Sequence, residues 1–423
     1  MLITISLKSI LPINLLYIYN MTIVTKNIQS NRNEQEQIIC SKIHQTEREL
    51  IVKYPILHRS NRNIICSSFI IWTIYIICMC GKWFFSLLTR DMVTWGPMII
   101  ITISISLSIS ILHEIEHDLI HNLYFKHDPW IQNICFFLIW IAKFNVNPWW
   151  RRKIHLHHHN NSGQINDIEE RLIGLGLPPG QIRIAITMNT SASLFISYLI
   201  SNDTDVLDLY EMILLSSPTF IINVLLNILF VIHMSSIMII PQPYLSWIYG
   251  YHALCVLPNF IRQSCLVLMS NTSHYYGDII ESSVYYQNQI LDHWSLYGFQ
   301  LFCCNFGATH IIHHYVPYQT FYTRTLCYTD ELKKLMIDNG IRNNDFDVIS
   351  RANRYFSVTP TKINNDKNVS YSKQLFEYHL FACICFMTGT IMYFVYSILA
   401  LFAVPVNLYY YSNDVNSKHD HKK

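Results

Sequence analysis

The residues best suited to chemistry are histidines that recur at regular intervals. His113, His117 and His121 lie four residues apart in the segment HEIEHDLIH. On an α-helix this spacing places side chains on one face, about 6 Å apart along the axis. Imidazole is a ligand for iron, zinc, copper and nickel, so the segment is a candidate source of metal ligands.

Two later segments each contain the pattern H-x-x-H-H. Its histidines are His155, His158 and His159 in the first copy and His310, His313 and His314 in the second. Eight or nine imidazoles are too many for one tetrahedral zinc ion, so together with the first segment they predict a site for two transition-metal ions. His157 stands outside the repeated pattern and is interpreted as a bystander.

The composition indicates what kind of protein must position these histidines. The chain has 423 residues, of which 51% are hydrophobic and 14% are charged. A soluble domain carries about 25% charged residues, and the mean hydropathy of +0.22 is high for a soluble protein of this length. These values indicate a polytopic membrane protein and exclude a disordered or collagen-like chain. The net charge of +2 does not indicate binding to nucleic acid.

Long uncharged segments predict the membrane spans. Residues 64–81 and 92–112 contain no Asp, Glu, Lys or Arg and predict one helical hairpin. A second hairpin is expected over about 219–240 and 244–261, which are separated by a Pro-Gln-Pro turn. Residues 380–404 form a further apolar run. The chain is therefore expected to be an all-α polytopic membrane protein with two transmembrane hairpins, a cytosolic His-rich helical cap and a C-terminal hydrophobic helix.

Basic residues beside the spans predict the orientation. They are Arg48, Lys53, Arg59 and Arg62 before the first span, and Arg151, Arg152 and Lys153 after the second. Because basic residues favour the cytosolic side, the His clusters are expected to be cytosolic. Residues 131–142 are too short to span a bilayer. Residues 184–202 are long enough, but a crossing there would separate the second and third His clusters, so this segment is expected on the surface.

Composition also divides the chain into four regions. Residues 1–60 are interpreted as a poorly ordered N-terminal leader, and residues 61–325 as the membrane domain that carries the His clusters. Residues 326–378 are expected to form a polar cytosolic linker, and residues 379–423 a hydrophobic helix with a polar tail.

The three His clusters beside two hairpins resemble the membrane fatty acid desaturase and hydroxylase superfamily, over about residues 60–325. The resemblance implies a di-iron centre that uses O₂ to introduce a double bond or a hydroxyl group into a fatty acyl or related lipid chain. It also implies that His274, in the segment Asn271-Thr-Ser-His274, is a further iron ligand and that Asn271 holds an iron-bound water. Desaturation and hydroxylation are not distinguished by the sequence.

The first His cluster fits the family pattern in two ways. Both His113/His117 and His117/His121 satisfy H-x-x-x-H. Members of the family usually have a tryptophan-led segment after this box, and Trp130 and the spacing to His155 favour the His117/His121 pair. His113 could then be a partner of the ligands, but all three histidines are kept as candidate metal ligands. Acids that could orient imidazole N–H groups are Glu114, Glu116, Asp118, Asp167 and Asp278.

The resemblance also implies partners. Di-iron chemistry needs electrons, and the sequence has no flavin, nicotinamide or haem-domain motif. A separate donor such as cytochrome b5 or a ferredoxin-like protein is therefore expected. The basic run 151–153 could dock an acidic donor or a lipid phosphate, or could only set the topology. The expected location is the endoplasmic reticulum membrane.

Three alternatives remain open at this point. Residues 113–117 also read H-E-x-x-H, which in an intramembrane zinc metalloprotease would make Glu114 the general base. That reading leaves the second and third clusters unexplained. A carboxylate di-iron bundle needs two Glu-x-x-His motifs, and only Glu114 with His117 provides one. A membrane protein that binds or carries metal without catalysis would lack O₂-dependent turnover.

Overall fold

The computed structural model describes residues 15–355 and 371–387, apart from residues 91, 165, 166, 168, 170–218, 236–240, 282 and 350–352. The regular elements of this part of the chain are helices. The first six are α1 (Leu15–Lys53), α2 (Arg62–Leu88), α3 (Trp95–Ile120), α4 (Pro129–Lys143), α5 (Pro148–Asn161) and α6 (Thr219–Met234). The remainder are α7 (Gln242–Tyr251), α8 (Leu257–Ser273), α9 (Tyr297–Leu301), α10 (Phe306–Tyr315), α11 (Phe321–Cys327), α12 (Asp330–Asp338) and α13 (371–387).

Among the described residues, three helical segments are long and apolar enough to cross a membrane. They are Arg59–Leu88, Trp95–Ile120 and Tyr244–Ser273, the last of which joins α7 to α8 through a π-helical turn. They contain the predicted spans 64–81 and 244–261 and most of 92–112. Of the predicted span 219–240, residues 219–235 are described. The segment 184–202 and most of 380–404 lie outside the described residues.

The surface of the candidate spans is apolar. On α2 and α3, side chains such as Ile71, Trp72, Ile99 and Ile100 are more than half exposed. Two serine hydroxyls inside α3 are hydrogen-bonded within the protein. Ser106 and Ser110 donate to the carbonyls one turn earlier, and also to the carbonyls of Pro258 and Phe302. These bonds tie α3 to the segments that carry the later His residues.

The N-terminal region contains one long helix. Leu15–Lys53 is a single helix, and its second half packs against α10, α11 and α12. Ile39 and Ile43 are fully buried. Their spacing of four residues places them on one face of the mostly polar second half of this helix.

The region expected to be a polar linker also packs into the core. Leu332 and Met336 of α12 are fully buried, as is Val348 beyond it. Tyr378 of α13 is buried in the same cluster, which also contains Met269 of α8. Residues 332–349 and 378–385 thus contribute apolar side chains to the same core as α8 and α10.

Candidate metal centre

Helix ends bring the His clusters together. His121 caps the C-terminus of α3, and His274 caps the C-terminus of α8. The second cluster lies on α5, which begins with Pro148 after Asn147. The Asn147 side chain accepts hydrogen bonds from the backbone N–H groups of Trp149 and Trp150, at 2.9 and 3.2 Å. This cap sets where α5 begins and therefore which way its imidazoles face.

The first group of convergent imidazoles comes from three helices. Its nitrogens all lie within 4.8 Å of one another, and its members are His117, His121, His155, His159 and His313. The Nε2 atom of His155 lies 3.1 Å from Nε2 of His121 and 3.1 Å from Nε2 of His159. His313 Nε2 lies 2.9 Å from His159 Nε2.

A second group lies beside the first and is fully buried. Its nitrogens also lie within 4.8 Å of one another, and its members are His158, His274, His310 and His314. His310 Nε2 is 3.1 Å from His274 Nε2 and 3.0 Å from His314 Nε2. The rings of His159 and His314 stand 5.3 Å apart, centroid to centroid, so the two groups adjoin.

The distances between nitrogens fit shared metal ions better than hydrogen bonds. A ring nitrogen carries either one hydrogen or one lone pair, so it makes one good hydrogen bond. Nε2 of His155 and Nε2 of His310, however, each lie close to two other imidazole nitrogens. Two nitrogens bound at right angles to one ion, at imidazole–metal distances, lie about 3.0 Å apart. Among the described residues, no hydrogen-bond partner reaches either ring nitrogen of His117 or Nδ1 of His310, all of which are buried. The arrangement therefore fits two metal ions with imidazole ligands.

Acidic residues orient two imidazoles of the second cluster. His155 Nδ1 is 2.7 Å from Glu169 Oε2, and His158 Nδ1 is 2.8 Å from Asp167 Oδ2. A carboxylate only accepts, so each Nδ1 carries the hydrogen and each Nε2 presents its lone pair to the group. Asp167 is itself held by the backbone N–H of Gly163 at 2.9 Å.

Gly163 is required at that turn. Its φ of +74° is strained for other residues, and a Cβ there would lie 2.7 Å from the carbonyl oxygen of Tyr275. The N–H of Gly277 donates to the Gly163 carbonyl at 2.7 Å. The same turn therefore holds both Asp167 and the segment that follows His274.

Carbonyl groups orient two imidazoles of the second group. His274 Nδ1 lies 2.8 Å from the main-chain carbonyl of Ser270, and His314 Nδ1 lies 2.7 Å from Oε1 of Gln287. Each of these Nδ1 atoms must also donate, which leaves Nε2 free to bind a metal ion.

Burial keeps the imidazoles neutral. It lowers the pKa of His121 to about 2, and it lowers the pKa values of His155, His159 and His314 as well. Burial alone would raise the pKa of Glu169, but the adjacent His155 outweighs it and lowers that pKa. The neutral form is the one that binds metal.

His113 stands outside both groups. Its Nε2 lies 2.9 Å from Nη2 of Arg151, and its Nδ1 lies 3.4 Å from Nζ of Lys143. Glu116 is fully buried and accepts from Lys143 at 2.7 Å and from Arg151 at 2.6 Å. Burial lowers the pKa of Lys143 to about 7 despite this ion pair.

The other acids of the first cluster contact α11 and its surroundings. Glu114 pairs with Arg324. Asp118 accepts from the Tyr124 hydroxyl at 2.8 Å and from the backbone N–H of Phe321 at 2.9 Å, and its Oδ1 lies 3.7 Å from Nδ1 of His117. These carboxylates therefore anchor the segment after the third cluster to the end of α3.

The remaining expected residues make hydrogen bonds to the main chain. Asn271 donates to the carbonyl of Val267 at 3.0 Å, and Asp278 accepts from the backbone N–H of Tyr355 at 2.8 Å. His157 contacts Asn161 and belongs to neither group.

Several site residues have no sequence signal. Glu169, Gln287 and Arg324 lie outside the His clusters, and nothing in their spacing marks them. A cavity of about 140 Å³ touches both His groups. Its polar wall includes His113, Glu114, Arg151 and Gln263.

Comparison with known families agrees with this geometry. A family model described as fatty acid desaturase matches residues 93–339, which is more than half of the chain. The chain belongs to the fatty acid desaturase family. No curated protein sequence matches it. Membership makes this desaturase-family protein an oxidoreductase of the fatty acyl desaturase or hydroxylase type, with a lipid substrate and a membrane location. The matched region contains every histidine of the two groups.

Proposed function

We propose that this protein is an O₂-dependent di-iron enzyme that introduces a double bond or a hydroxyl group into a fatty acyl or related lipid chain. The observation that supports it is the pair of adjoining, buried groups made only of imidazoles. When bound, two iron ions with O₂ supply the oxidising power needed to remove hydrogen from an unactivated C–H bond. The protein holds the ions, excludes water and places one carbon beside them.

Each group is proposed to hold one iron ion. The first ion would take its ligands from the five histidines of the first group, and the second from the four histidines of the second group. His113 is assigned to the surroundings of the site, since it contacts Arg151 and Lys143 instead of the other imidazoles.

The contacts of His113 and Glu114 argue against the zinc protease alternative. A zinc protease of the H-E-x-x-H type needs both histidines on one ion and a carboxylate available as a base. Here His113 and His117 do not join one group, and Glu114 is buried against Arg324.

The membrane arrangement is proposed to be two hairpins with both His groups on the cytosolic face of the endoplasmic reticulum, and with cytochrome b5 or a ferredoxin-like protein as donor. Residues 61–325 would form the membrane domain, completed by the packed segments that follow. Tags at residue 30 and beside residues 165 and 330 should all be cytosolic. Glycosylation of the inserted protein at Asn160, in the sequon Asn-Asn-Ser, would contradict this orientation.

The reaction is tested by expression in a desaturase-null host followed by lipid analysis of the membranes. We expect a new unsaturated or hydroxylated chain, and about two iron atoms per purified protein. Full activity with one zinc ion and no iron would refute the proposal.

A further inference from the structure

An uncharged segment lies between His274 and α10 in the chain. Residues 294–305 contain no Asp, Glu, Lys or Arg, and they form a 3₁₀ turn followed by α9. Three large side chains, spaced three and four residues apart, are each more than half exposed: Trp294, Tyr297 and Leu301. This spacing places them on one face, so the segment presents an apolar face to its surroundings.

Helix α13 is apolar on two sides. One stripe is fully buried in the core and consists of Tyr378, Ala382 and Cys385. A second stripe, which we call the outer stripe, is about half exposed or more, and its members are Phe376, Leu380, Ile384 and Met387. Residues 380–387 are all apolar, so this half of the helix has no polar side to face water. A helix that is apolar all round belongs in a protein core or in a membrane.

The two exposed faces adjoin. The rings of Phe299 and Phe386 stack with centroids 5.8 Å apart, at an interplanar angle of 22°. The Nε2 atom of His379 lies 3.3 Å from the carbonyl oxygen of Ser295. The face of residues 294–301 and the outer stripe of α13 therefore form one continuous area, which we call the apolar surface.

Contacts with two candidate spans show how far the apolar surface extends along them. The Ser110 hydroxyl of α3 donates to the carbonyl of Phe302 at 2.6 Å. Ser110 belongs to the uncharged run 92–112, about 10 Å before His117 along the helix axis. Phe386 contacts Phe260, in the uncharged run 244–261, with ring centroids 6.4 Å apart. One end of the apolar surface thus lies level with the uncharged parts of the spans.

The side chains change in type towards that end. Trp294 and Tyr297 precede Leu301, which is next to the residue that contacts α3. Tryptophan and tyrosine are enriched at membrane–water interfaces, where one end of the ring is wet. On α13 the charged residues are Lys373 and Glu377, both in the half away from Phe386. Both elements therefore become less polar in the direction of the spans.

The apolar surface is also fastened to the third His cluster. Gln300, in α9, donates from Nε2 to the carbonyl of Leu291 at 2.5 Å, and its Oε1 accepts from the N–H of Gly307 at 3.0 Å. Gly307 lies in the first turn of α10, which carries His310. A partner that binds the apolar surface therefore holds an element joined directly to the His groups.

We propose that the apolar surface is embedded in the bilayer leaflet next to the His groups and contacts lipid acyl chains. Its lack of charge, its continuity with the candidate spans and the position of its aromatic residues all fit a lipid partner. The segment between His274 and α10 then enters the membrane, although it is too short to cross it.

The proposal is tested by photolabelling of the full-length protein in nanodiscs, using a phosphatidylcholine that carries a diazirine on its acyl chain. Mass spectrometry should find adducts on Leu301, Leu380 or Met387 as often as on Ile71, the exposed span residue that serves as the positive control. Ile337 of α12, which is exposed away from the spans, should remain unlabelled. Labelling of Ile71 without labelling of the apolar surface would overturn the proposal, since another part of the chain or a second copy then covers this area.

Charged variants give a second measurement. Leu301→Glu and Leu380→Glu should each lower the unfolding midpoint in nanodiscs, because a carboxylate in lipid is strongly unfavourable. Ile337→Glu is the matched control and should leave the midpoint unchanged, since surface substitutions in water have small effects. Equal midpoints for all three variants would also overturn the proposal. Labelling and unfolding need neither iron nor turnover, so failure of the proposed reaction would leave both results unaffected.

Discussion

The side-chain amide of Asn353 donates a hydrogen bond to the main-chain carbonyl of His274 at 3.2 Å. The same amide donates to the carbonyl of Asn271, and the carbonyl of Asn353 accepts from the N–H of Tyr276 at 2.9 Å. Asn353 is fully buried with φ of +60°. A residue beyond the part of the chain that matches the desaturase family therefore clamps the turn that carries His274.

Asn353→Asp should remove metal from the second group. Aspartate tolerates the left-handed backbone but cannot donate, so it faces two carbonyls with a negative charge. We expect the activity and the iron affinity of the second group to fall about 10–100-fold, as when a partner of a metal ligand is lost. Iron content and product formation measure this. Asn122→Asp is the control, since Asn122 is also left-handed (φ 57°) but exposed. An Asn353→Asp protein with full iron would contradict the clamp.

His274→Ala should abolish turnover and lower the iron content while the protein still inserts into membranes. The reason is that it opens a ligand position in the second group. His157→Ala should retain activity, because the His157 ring contacts Asn161 and belongs to neither His group. His233→Ala should also be tolerated, since its ring contact is with Tyr249, away from both groups. Near-normal product from His274→Ala would remove this residue from the site.

Glu169→Gln should weaken metal binding in the first group. The carboxylate of Glu169 accepts from Nδ1 of His155, and an amide in its place supplies less negative charge and a competing donor. We expect a loss of about 10–100-fold in iron affinity or activity, measured by titration of the apoprotein with Fe²⁺. Glu281→Gln, at an exposed position, should bind iron as the unaltered protein does. Equal affinities for the two variants would show that Glu169 does not support His155.

Asp292 should contribute to stability in a pH-dependent way. Burial alone raises its pKa, but Lys333 and Tyr328 outweigh burial and lower it to about 2. Because this is below the usual value of about 3.9, the contribution is present above pH about 4 and is lost as the pH falls towards 2. Asp292→Asn should cost about 1 kcal/mol at pH 7 and less at pH 3. Thermal unfolding at the two pH values checks this, and an equal cost at both would contradict it.

The local elements of the site could be predicted from the sequence. Uncharged segments predict α2, α3 and the run through α8, since a helix that faces lipid must be apolar over its whole length. The spacing within each cluster also predicts which histidines share a helix face. His155 and His159, four residues apart, join one group, and His158, which lies on the next face, joins the other.

Only the tertiary structure decided how the clusters combine. His313 joins the first group and His310 the second, although both lie on α10, because His313 faces His159 of α5 and His310 faces His274 at the end of α8. The second half of α1 and the segment 326–349 carry many polar residues, and their buried apolar side chains still contribute to the core. Asn353 and Gln287 support ligands 79 and 27 residues away in the chain. Such contacts leave no periodic pattern in the sequence, because each hydrogen bond involves a single residue. Only the packing of distant segments brings that residue to its partner.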